Sequence, residues 1–503
     1  MSRGSRKFDV LERLEVSHKN VPVACEEHKA SLGQYFTPSN VAEYMASLME
    51  FGEISSYHLL DAGAGVGALS CAFIERFKAE GKVGMALKVT AFEYDEGLIP
   101  TLEANIFASA GDHQKVVKGD FIEIAANELL MLGAAEPVYT HVLLNPPYKK
   151  IRSNSQHRAM LRSIGIETTN LYAGFIGTAL LLTKTNGIVV ALVPRSFCTG
   201  PYFKRFREFI LGRAAIRQIH LFESRNALFR EDGVLQENII IKLERGGAQA
   251  DVLVTSSVDG GLLGIKSSLL PFSQIVRPDD SDLFIHIPSC YEAAEWPSAF
   301  TFSLEDLGVC VSTGPVVDFR VPQFLSEVHR EESVPLLYPA NLKGSKVVWP
   351  ILGLKKSQYL LNCKDTVRQL FPVGNYCVVR RFSAKEQVRR IVSAVANGEY
   401  FKEFDCLGFE NHLNVIHVNK KGLELNFVSG LTGFLNSKYA DRDIRTFNGH
   451  TQVNAADLKK LRFPSVVFLK ALGDWILHSN DLGQDDIDKF IDVLLEKEEG
   501  ISC

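Results

Sequence analysis

The sequence predicts an α/β fold in which a mostly parallel sheet carries helices on both faces and is followed by a second domain. Between residues 31 and 245, short apolar runs alternate with longer amphipathic ones, which is the pattern of strand–helix–strand units. At 59–69 the sequence LLDAGAGVGAL joins an apolar strand to a helix through a glycine-rich turn, as at the ligand-binding edge of an open α/β sheet. Beyond residue 260 the alternation stops, so we expect a second domain of different construction.

Seven apolar segments of strand length define the expected sheet. The last two have no helix-length spacer between them, so we expect them to form an antiparallel edge. Two segments between the strands have the apolar period of helices, Ala68–Glu80 and Ala173–Lys184. The expected strands are Tyr57–Ala62, Leu87–Glu93, Val116–Val117, His141–Asn145, Gly187–Val193, Arg217–Phe222 and Asn238–Glu244.

The length of 503 residues predicts two or three domains. Near the C-terminus, Ile487, Phe490, Ile491 and Leu494 follow helical spacing among acidic residues, which indicates an amphipathic helix that packs on its own chain. The expected divisions are an N-terminal helical appendage at 1–30, the α/β domain at 31–250, a recognition domain at 251–480 and the acidic helix at 481–503.

The composition is that of an ordinary folded protein from a reducing compartment. The chain is 46% hydrophobic and 23% charged, as soluble globular domains are. It has no apolar run of about 18 residues and no secretory signal in its charged N-terminal stretch, so we expect no membrane association and a cytoplasmic location. The nine cysteines include no C-x-x-C pair and the 13 histidines no cluster with ligand spacing, so we expect no metal site.

Charge is distributed unevenly along a chain whose net charge is only −4. Residues 341–470 contain 21 Lys and Arg against 10 Asp and Glu, a net of +11, whereas the rest of the chain contains 34 against 49, a net of −15. Such asymmetry favours contact with nucleic acid through the C-terminal part. The alternative is a basic face that is simply solvated.

The glycine turn predicts a ligand site. Gly63, Gly65 and Gly67 allow the backbone to approach a ligand closely, because a Cβ at these positions would collide with it. The following helix presents its N-terminus to the turn, which favours a negatively charged group. The same pattern occurs in dinucleotide folds and in methyltransferases, and a tight strand–helix turn without a ligand is a further alternative.

Acidic residues at the ends of the next two strands narrow the choice of ligand. The segment Val89–Asp95 contains Glu93, placed to accept hydrogen bonds from ribose hydroxyls at the carboxyl edge of the sheet. The next strand is followed by Asp120 and Phe121, which suit an adenine amino group and the face of a purine. The glycine turn has no basic residue for a phosphate, so S-adenosylmethionine fits better than a dinucleotide.

The sequence HVLLNPPY at 141–148 predicts the transfer chemistry. An apolar strand ends at Asn145, after which Pro146 and Pro147 fix the backbone and remove two N–H donors. We expect the side-chain oxygen of Asn145 and the carbonyl oxygen of Pro146 to accept both hydrogens of a planar amine or amide. The nitrogen lone pair is then free to attack a sulfonium methyl. Tyr148 supplies an aromatic face for the planar group.

Together these segments resemble the gamma-class DNA adenine N6-methyltransferases of type II restriction–modification systems, whose catalytic tetrapeptide is Asn-Pro-Pro-Tyr or Asn-Pro-Pro-Phe. GQYFTP at 33–38 resembles the N-terminal cofactor segment of that family. The resemblance implies a Rossmann-like class I S-adenosylmethionine-dependent methyltransferase domain and a C-terminal mixed α/β target-recognition domain. The cofactor-binding residues that it implies are Tyr35, Thr37, Pro38, Asp61, Gly63, Gly65, Gly67, Glu93, Tyr94, Asp120 and Phe121.

The resemblance also implies how DNA is engaged. Tyr148 and Phe229 are expected to stack on the two faces of an adenine that is flipped out of the double helix. Basic pairs within 341–470 are expected to contact phosphates, and the loop after residue 448 to read base edges. The residues concerned are Arg380, Arg381, Thr451, Gln452 and Asn454, with Arg389–Arg390 and Lys459–Lys460 as further basic pairs.

The expected partners are double-stranded DNA and a cognate restriction endonuclease that acts separately, in a bacterial or archaeal cytoplasm. Two alternatives stay open. The chain could methylate a protein glutamine or an RNA base, since Asn-Pro-Pro-Tyr also serves amide nitrogens, although its length and basic C-terminal part argue against this. It could also be a catalytically inactive DNA-binding fold, against which the intact Asn145 and glycine turn argue.

Overall fold

The computed structural model describes residues 36–82, 85–110, 114–131, 136–223, 237–258, 260–288, 296–383, 387–449, 451–479 and 482–500. The chain divides into two compact units, Met1–Ala293 and Ala294–Cys503. The N-terminal appendage expected at 1–30 and the two predicted site residues Tyr35 and Phe229 lie outside the described residues.

The first unit alternates strands and helices along the chain, as the sequence predicts. Its strands are β1 (Ser56–Ala62), β2 (Ala86–Glu93), β3 (Gln114–Lys118), β4 (Tyr139–Leu144), β5 (Thr183–Pro194), β6 (Ala214–Phe222), β7 (Asn238–Arg245), β8 (Val252–Ser257) and β9 (Lys266–Leu270). Its helices are α1 (Ser39–Ser47), α2 (Ala68–Ala79), α3 (Ile99–Ala110), α4 (Phe121–Met131), α5 (Gln156–Ser163), α6 (Leu171–Leu182), α7 (Lys204–Leu211) and α8 (Phe272–Ile275).

These strands form one sheet in the order β3-β2-β1-β4-β5-β7-β6-β8-β9. Strands β1 to β5 are parallel to their neighbours within this group. Strand β1 lies between β2 and β4, so the strand order reverses at the β1–β4 boundary. A reversal of this kind opens a crevice at the carboxyl ends of the strands, where open α/β sheets bind ligands. The predicted Rossmann-like α/β fold is confirmed.

The sheet extends further along the chain than the sequence predicts. Strand β7 runs antiparallel to both β5 and β6, as expected, but it lies inside the sheet rather than at its edge. Strand β8 pairs with β6, and β9 pairs with β8. The boundary predicted between residues 250 and 251 therefore falls inside the first unit, which ends at Ala293.

The core of the first unit lies on both faces of the sheet. All six residues of β4 are buried, and the last eight residues of β5 are buried as well. Central parallel strands that are covered on both faces need nearly continuous apolar sequence, which explains why these two segments were recognisable. Helix α6 ends at Leu182, two residues before its predicted end, because Thr183 is already extended (φ −85°, ψ 138°) and begins β5.

The second unit combines two sheets with a group of helices. Its strands are β10 (Cys310–Thr313), β11 (Leu325–Ser326), β12 (Ser333–Leu337), β13 (Leu342–Lys343), β14 (Lys346–Val347), β15 (Tyr359–Leu361), β16 (Leu370–Pro372), β17 (Tyr376–Arg380), β18 (Ser393–Ala396), β19 (Cys406–Phe409) and β20 (Leu413–His417). Its helices are α9 (Leu425–Leu435), α10 (Lys438–Phe447), α11 (Ala455–Lys460), α12 (Val466–His478) and α13 (Gln484–Gly500).

Six of these strands form a sheet in the order β10-β20-β17-β18-β14-β13, and five form another in the order β11-β15-β12-β19-β16. The predicted acidic helix is present as α13, and it packs on its own chain. Ile487 and Ile491 are buried, and the ring of Phe490 stacks on Trp475 of α12 with a centroid distance of 4.2 Å. Among the described residues, none of the helices has both the length and the apolar character to cross a membrane.

Two glycines allow α9 and α12 to cross at very short distance. A Cβ on Gly430 would lie 1.8 Å from the carbonyl oxygen of Leu469, and one on Gly473 would lie 1.7 Å from that of Asn426. We expect Gly430→Ala to destabilise the protein by about 1–3 kcal/mol or more, since the helix backbones must separate. Urea unfolding followed by circular dichroism measures the loss.

Gly433→Ala, on the same helix, is the matched control. A Cβ at this position meets first the end of the flexible Ile476 side chain, at 2.6 Å. A smaller loss of stability is therefore expected than for Gly430→Ala. Equal losses in the two variants would contradict the close backbone crossing.

Candidate active site

The candidate site lies at the carboxyl ends of the central parallel strands of the first unit. β1 leads into the glycine turn, β2 ends at Glu93, and β3 is followed by Gly119 and Asp120. β4 leads directly into Asn145. Because parallel strands end at the same edge of a sheet, the four segments on which the sequence prediction rested meet at this edge.

The glycine turn needs the left-handed backbone conformation at three positions. The φ angles of Gly63, Gly65 and Gly67 are 80°, 58° and 91°, which residues with a Cβ adopt at a cost. A Cβ on Gly63 would lie 3.7 Å from the ring of Phe175 and 4.0 Å from the carbonyl oxygen of Asn145. The turn therefore passes directly beside the first residue of the Asn-Pro-Pro-Tyr segment.

A cavity of about 200 Å³ opens between the turn and the ends of the neighbouring strands. It contains many of the residues that the sequence predicted for a cofactor, together with the second proline of the Asn-Pro-Pro-Tyr segment. Its lining consists of Gly63, Phe92, Glu93, Tyr94, Gly119, Asp120, Phe121, Pro147, Lys149, His157, Leu171 and Phe175.

Glu93 ties the glycine turn to the end of β2. One carboxylate oxygen accepts a hydrogen bond from the N–H of Gly65 and the other accepts one from the N–H of Asp95, both at 2.7 Å. The side chain is only 1% exposed, and burial raises its pKa. The carboxylate thus joins the glycine turn to the end of β2 and lines the cavity.

Aromatic rings form the apolar wall of the cavity. Phe121 contacts Phe92 edge-to-face with a centroid distance of 5.1 Å, and it contacts Phe175 at the same distance. Sequence reasoning found Phe121 but missed the other two. Phe92 adjoins Glu93 on β2, which is a usable signal, whereas Phe175 lies in an apolar helix where it was indistinguishable from a core residue.

Asp120 has a partner that the sequence did not reveal. One of its carboxylate oxygens accepts from the N–H of Glu123 at 2.9 Å, and the other lies 2.7 Å from Nε2 of His157. Burial opposes ionisation of Asp120, but these hydrogen bonds outweigh it and the pKa of Asp120 is lowered. The hydrogen bond to Asp120 raises the pKa of His157 against the opposing effect of burial. The pair is therefore an ion pair whenever His157 is protonated.

The ion pair predicts a pH-dependent contribution to stability. Because the pKa of His157 is raised on folding, its contribution is complete below the unfolded value of about 6.5 and is lost as the pH rises through the folded value. Asp120, with its lowered pKa, stays ionised over the same range. We therefore expect His157→Gln to lower the melting temperature more at pH 6 than at pH 9. Melting curves of both proteins across this range measure the difference, and a larger deficit at pH 9 would contradict it.

Asn145 borders a second, smaller cavity, together with Phe36, Thr37 and the glycine turn itself. Gly63 lines both cavities. The side-chain Nδ2 of Asn145 donates to Oγ1 of Thr37 at 3.0 Å, and its Oδ1 accepts from the hydroxyl of Tyr148 at 3.2 Å. The tetrapeptide thus contributes Asn145 to one cavity and Pro147 to the other, and the two cavities share Gly63.

Two further predicted residues occupy positions with evident local roles. Asp61 is fully buried, and one of its oxygens accepts from the N–H and the hydroxyl of Ser70 at the start of α2. Its other oxygen has no hydrogen-bond partner among the described residues, and burial raises the pKa of Asp61 to about 7. Pro38 is the N-cap residue of α1. Neither lines the two cavities, so each lies behind the site rather than in it.

The second unit brings together two groups of predicted DNA-contact residues that are about 70 positions apart. Phe382 bridges to Gln452, and the N–H of Val453 donates to the carbonyl oxygen of Arg381 at 2.7 Å. The Arg381 guanidinium donates to Oδ1 of Asn454 at 3.0 Å. Asn454 also caps α11. Arg381 and Asn454 therefore have structural partners in the protein, whereas Thr451 is exposed and Gln452 partly exposed.

Arg390 does not belong to the surface on which it was expected. Its side chain is fully buried, and its guanidinium donates to Ser383 and to Oδ1 of Asn448. A buried cation needs such partners, and none of them is adjacent in the sequence. Arg389 is partly exposed and is paired with Asp488 at 2.8 Å. The pair 389–390 thus contributes to the interior packing of the second unit.

Comparison with known proteins gives close matches along the whole chain. The family model described as the Eco57I restriction-modification methylase matches residues 74–229. The chain is 42% identical to the type II methyltransferase M.BsuBI of Bacillus subtilis, over 98% of this chain and 99% of that protein. It is 38% identical to the type II methyltransferase M.PstI of Providencia stuartii, over 94% of each. A shorter match, 27% identical over 27% of this chain and 52% of the relative, is to the tRNA1(Val) (adenine(37)-N6)-methyltransferase of Shewanella sediminis.

Proposed function

Because the chain belongs to the family of type II restriction–modification methyltransferases, its activity is methyl transfer to DNA, and we propose that the accepting atom is N6 of an adenine. The proposal is supported by the position of Asn145 beside the glycine turn, where Gly63 lines both cavities. The acceptor group and the methyl donor would then meet beside this turn.

The larger cavity fits S-adenosylmethionine, the methyl donor of this enzyme class. Carboxylates of Glu93 and Asp120 face it, and the rings of Phe92, Phe121 and Phe175 form its apolar wall. The Glu93 carboxylate suits ribose hydroxyls, the Asp120 carboxylate suits an amino group, and the aromatic wall suits a flat purine. When bound, the cofactor supplies an electrophilic methyl group on a sulfonium sulfur. We assign its binding to Gly63, Glu93, Tyr94, Asp120 and Phe121, with Gly65 holding the Glu93 carboxylate through its N–H.

Asn145 and Pro146 would hold the acceptor amine. The amide oxygen of Asn145 would accept one hydrogen of the amine and the carbonyl oxygen of Pro146 the other, which turns the nitrogen lone pair toward the methyl group. The nitrogen–carbon bond would form as the carbon–sulfur bond breaks, the neutral thioether would leave, and the nitrogen would lose one proton to solvent. Fixed acceptors of this kind lower the barrier without a strong base, because they need no reorganisation when positive charge develops on the nitrogen. Tyr148 would stack on the adenine, which must leave the double helix to reach the site.

Adenine as the target base is supported by two observations. The sequence at 145–148 is Asn-Pro-Pro-Tyr, the tetrapeptide of the adenine N6-methyltransferases that the chain resembles. In addition, one of the more distant relatives is named as an adenine N6-methyltransferase of tRNA. Double-stranded DNA rather than RNA is favoured because the matches to M.BsuBI and M.PstI span both units of this chain.

The basic excess of residues 341–470 is the proposed source of phosphate contacts, with Arg380 among them. Phosphate contacts release counterions, so DNA affinity should fall steeply with salt concentration. A cognate restriction endonuclease would be a separate protein that cuts the same sequence when it is unmethylated. We place the activity in the cytoplasm, where chromosomal DNA is accessible.

The experiment that tests the proposal is methyl transfer by the purified protein from isotope-labelled S-adenosylmethionine to unmethylated genomic DNA. The DNA is digested to nucleosides and separated by mass spectrometry, with total tRNA as a parallel substrate. Labelled N6-methyldeoxyadenosine is the expected product. Label in N4-methyldeoxycytidine, in tRNA alone or in neither nucleic acid would overturn the assignment. Long-read sequencing of the methylated DNA then gives the target sequence.

A further inference from the structure

The amide group of Asn145 is held at both of its ends by residues distant from each other in sequence. Its nitrogen faces Thr37, 108 positions away, and its oxygen faces Tyr148. A primary amide presents acceptors at one end and donors at the other. If the group turned over, a donor would face the acceptor amine and the bond that grips the amine would be lost. The orientation of this one amide is therefore a condition for transfer.

The hydroxyl of Tyr148 can give up its hydrogen bond to Asn145 for another acceptor. The tyrosine hydroxyl lies 3.2 Å from Oδ1 of Asn145 and also 3.2 Å from the carbonyl oxygen of Leu192. Its single proton serves two acceptors, so the hydroxyl can turn fully to Leu192 when an amine donates to Asn145. The tyrosine hydroxyl then still has an acceptor. A buried donor without an acceptor would cost free energy. The contact with Thr37, at the opposite end of the amide, needs no such exchange.

Thr37 is itself held in a fixed position. Its side chain is 6% exposed, and the following Pro38 restricts its backbone to extended conformations at the start of α1. The preceding Phe36 packs against the glycine turn, where its ring lies 3.4 Å from the place that a Cβ on Gly65 would take. The segment 36–38 thus bridges the glycine turn and Asn145, and it gives the hydroxyl of Thr37 one position.

We propose that Thr37 is a positioning residue for methyl transfer, whose hydroxyl accepts from Nδ2 of Asn145 and thereby fixes the place and the plane of the amide that grips the acceptor amine. The proposal rests on the function assigned to Asn145 above. It differs from the cofactor contact that the sequence implied for Thr37. A residue that binds the cofactor changes the affinity for it, whereas a residue that orients Asn145 changes the rate of the chemical step.

Thr37→Val tests the proposal, because valine keeps the shape of threonine and lacks the hydroxyl. We expect the single-turnover rate of methyl transfer to DNA, at saturating S-adenosylmethionine, to fall about 10- to 100-fold, because a misplaced reacting group slows the chemical step by about this factor. The Kd for S-adenosylmethionine, measured by calorimetry, should stay within about threefold of wild type. Thr37→Ser restores the hydroxyl and should bring the rate back to within about fivefold.

Three results would overturn the proposal. The first is a large rise in the Kd for S-adenosylmethionine with an unchanged rate at saturation, which would make Thr37 a cofactor ligand. The others are a wild-type rate in Thr37→Val and a Thr37→Ser variant as slow as Thr37→Val. If Thr37→Val does not fold, Thr37→Ala is compared with Thr37→Ser in the same way. A failure of the proposed function is recognised separately, because the wild-type protein would then transfer no methyl group to DNA.

Discussion

Replacement of Asn145 by alanine is expected to lower methyl transfer to DNA by about 1000-fold while cofactor binding is retained. The side chain lies at the glycine turn with its oxygen held by Tyr148, and in the proposed mechanism this oxygen accepts one hydrogen of the target amine. Loss of a single preorganised hydrogen-bonding group at a transition state costs about 100- to 1000-fold in rate. Asn145 also positions the acceptor, so the upper end of this range is expected.

The rate is measured in single turnover with excess enzyme, and cofactor binding by calorimetry with S-adenosylmethionine. Asn154→Ala, in an exposed turn nine positions further along the chain, is the control for the removal of an asparagine near the site and should behave as wild type. Near-normal transfer by Asn145→Ala would exclude the proposed role. A loss of cofactor binding equal to the loss of rate would mean that Asn145 serves the donor rather than the acceptor.

Gly63→Ala is expected to weaken S-adenosylmethionine binding by about 10- to 100-fold. The added Cβ finds ordinary van der Waals distances to the protein, 3.7 Å from Phe175 and 4.0 Å from Asn145, but it projects where both cavities border the turn. An atom forced into a filled site costs about 1–3 kcal/mol, and each 1.4 kcal/mol is a factor of ten in affinity. The steric part of the effect should therefore appear as weaker cofactor binding, in addition to the backbone strain that the substitution brings to the free protein.

Gly81→Ala is the matched control for backbone strain. Gly81 has a similar φ of 71°, and a Cβ there would meet nothing within 4 Å. Both variants should lose a similar amount of thermal stability, since alanine is strained at positive φ in both, but only Gly63→Ala should lose cofactor affinity. Equal cofactor affinity in the two variants would show that the glycine turn is not part of the cofactor-binding site.

Much of the first unit could be predicted because its central strands are local apolar runs. The strands expected at 141–145 and 187–193 stand out, since buried parallel strands admit few polar residues. Strand β9, Lys266–Leu270, has the sequence KSSLL and is partly exposed, so nothing in its own composition distinguishes it from a loop. Strand β9 forms because it pairs with β8, and the local sequence pattern does not indicate such a pairing. For that reason the first compact unit extends past the boundary that the sequence pattern predicts, to Ala293.

The candidate site shows the same difference between residues that a local sequence pattern indicates and residues that act through contacts distant in the sequence. Asn145 and Glu93 stand at the ends of apolar strands and Asp120 follows the short strand β3, at the edge where this type of sheet binds ligands, so all three could be proposed from the sequence. His157 contributes through a hydrogen bond to Asp120, 37 positions away, and has no motif of its own. Arg390 was misjudged for the converse reason, because clustered arginines in a sequence do not reveal that one of them is buried.

The central claim is that the Asn-Pro-Pro-Tyr corner and the glycine turn bring an adenine amine and the methyl donor into one site. A crystal structure with the unreactive cofactor analogue sinefungin and a DNA duplex containing the target sequence tests it most directly. We expect the analogue beside Gly63 and Asp120, and an unstacked adenine whose N6 lies about 3 Å from Oδ1 of Asn145, a hydrogen-bond distance. An analogue bound away from the glycine turn, or a DNA base held by residues other than Asn145 and Tyr148, would contradict it.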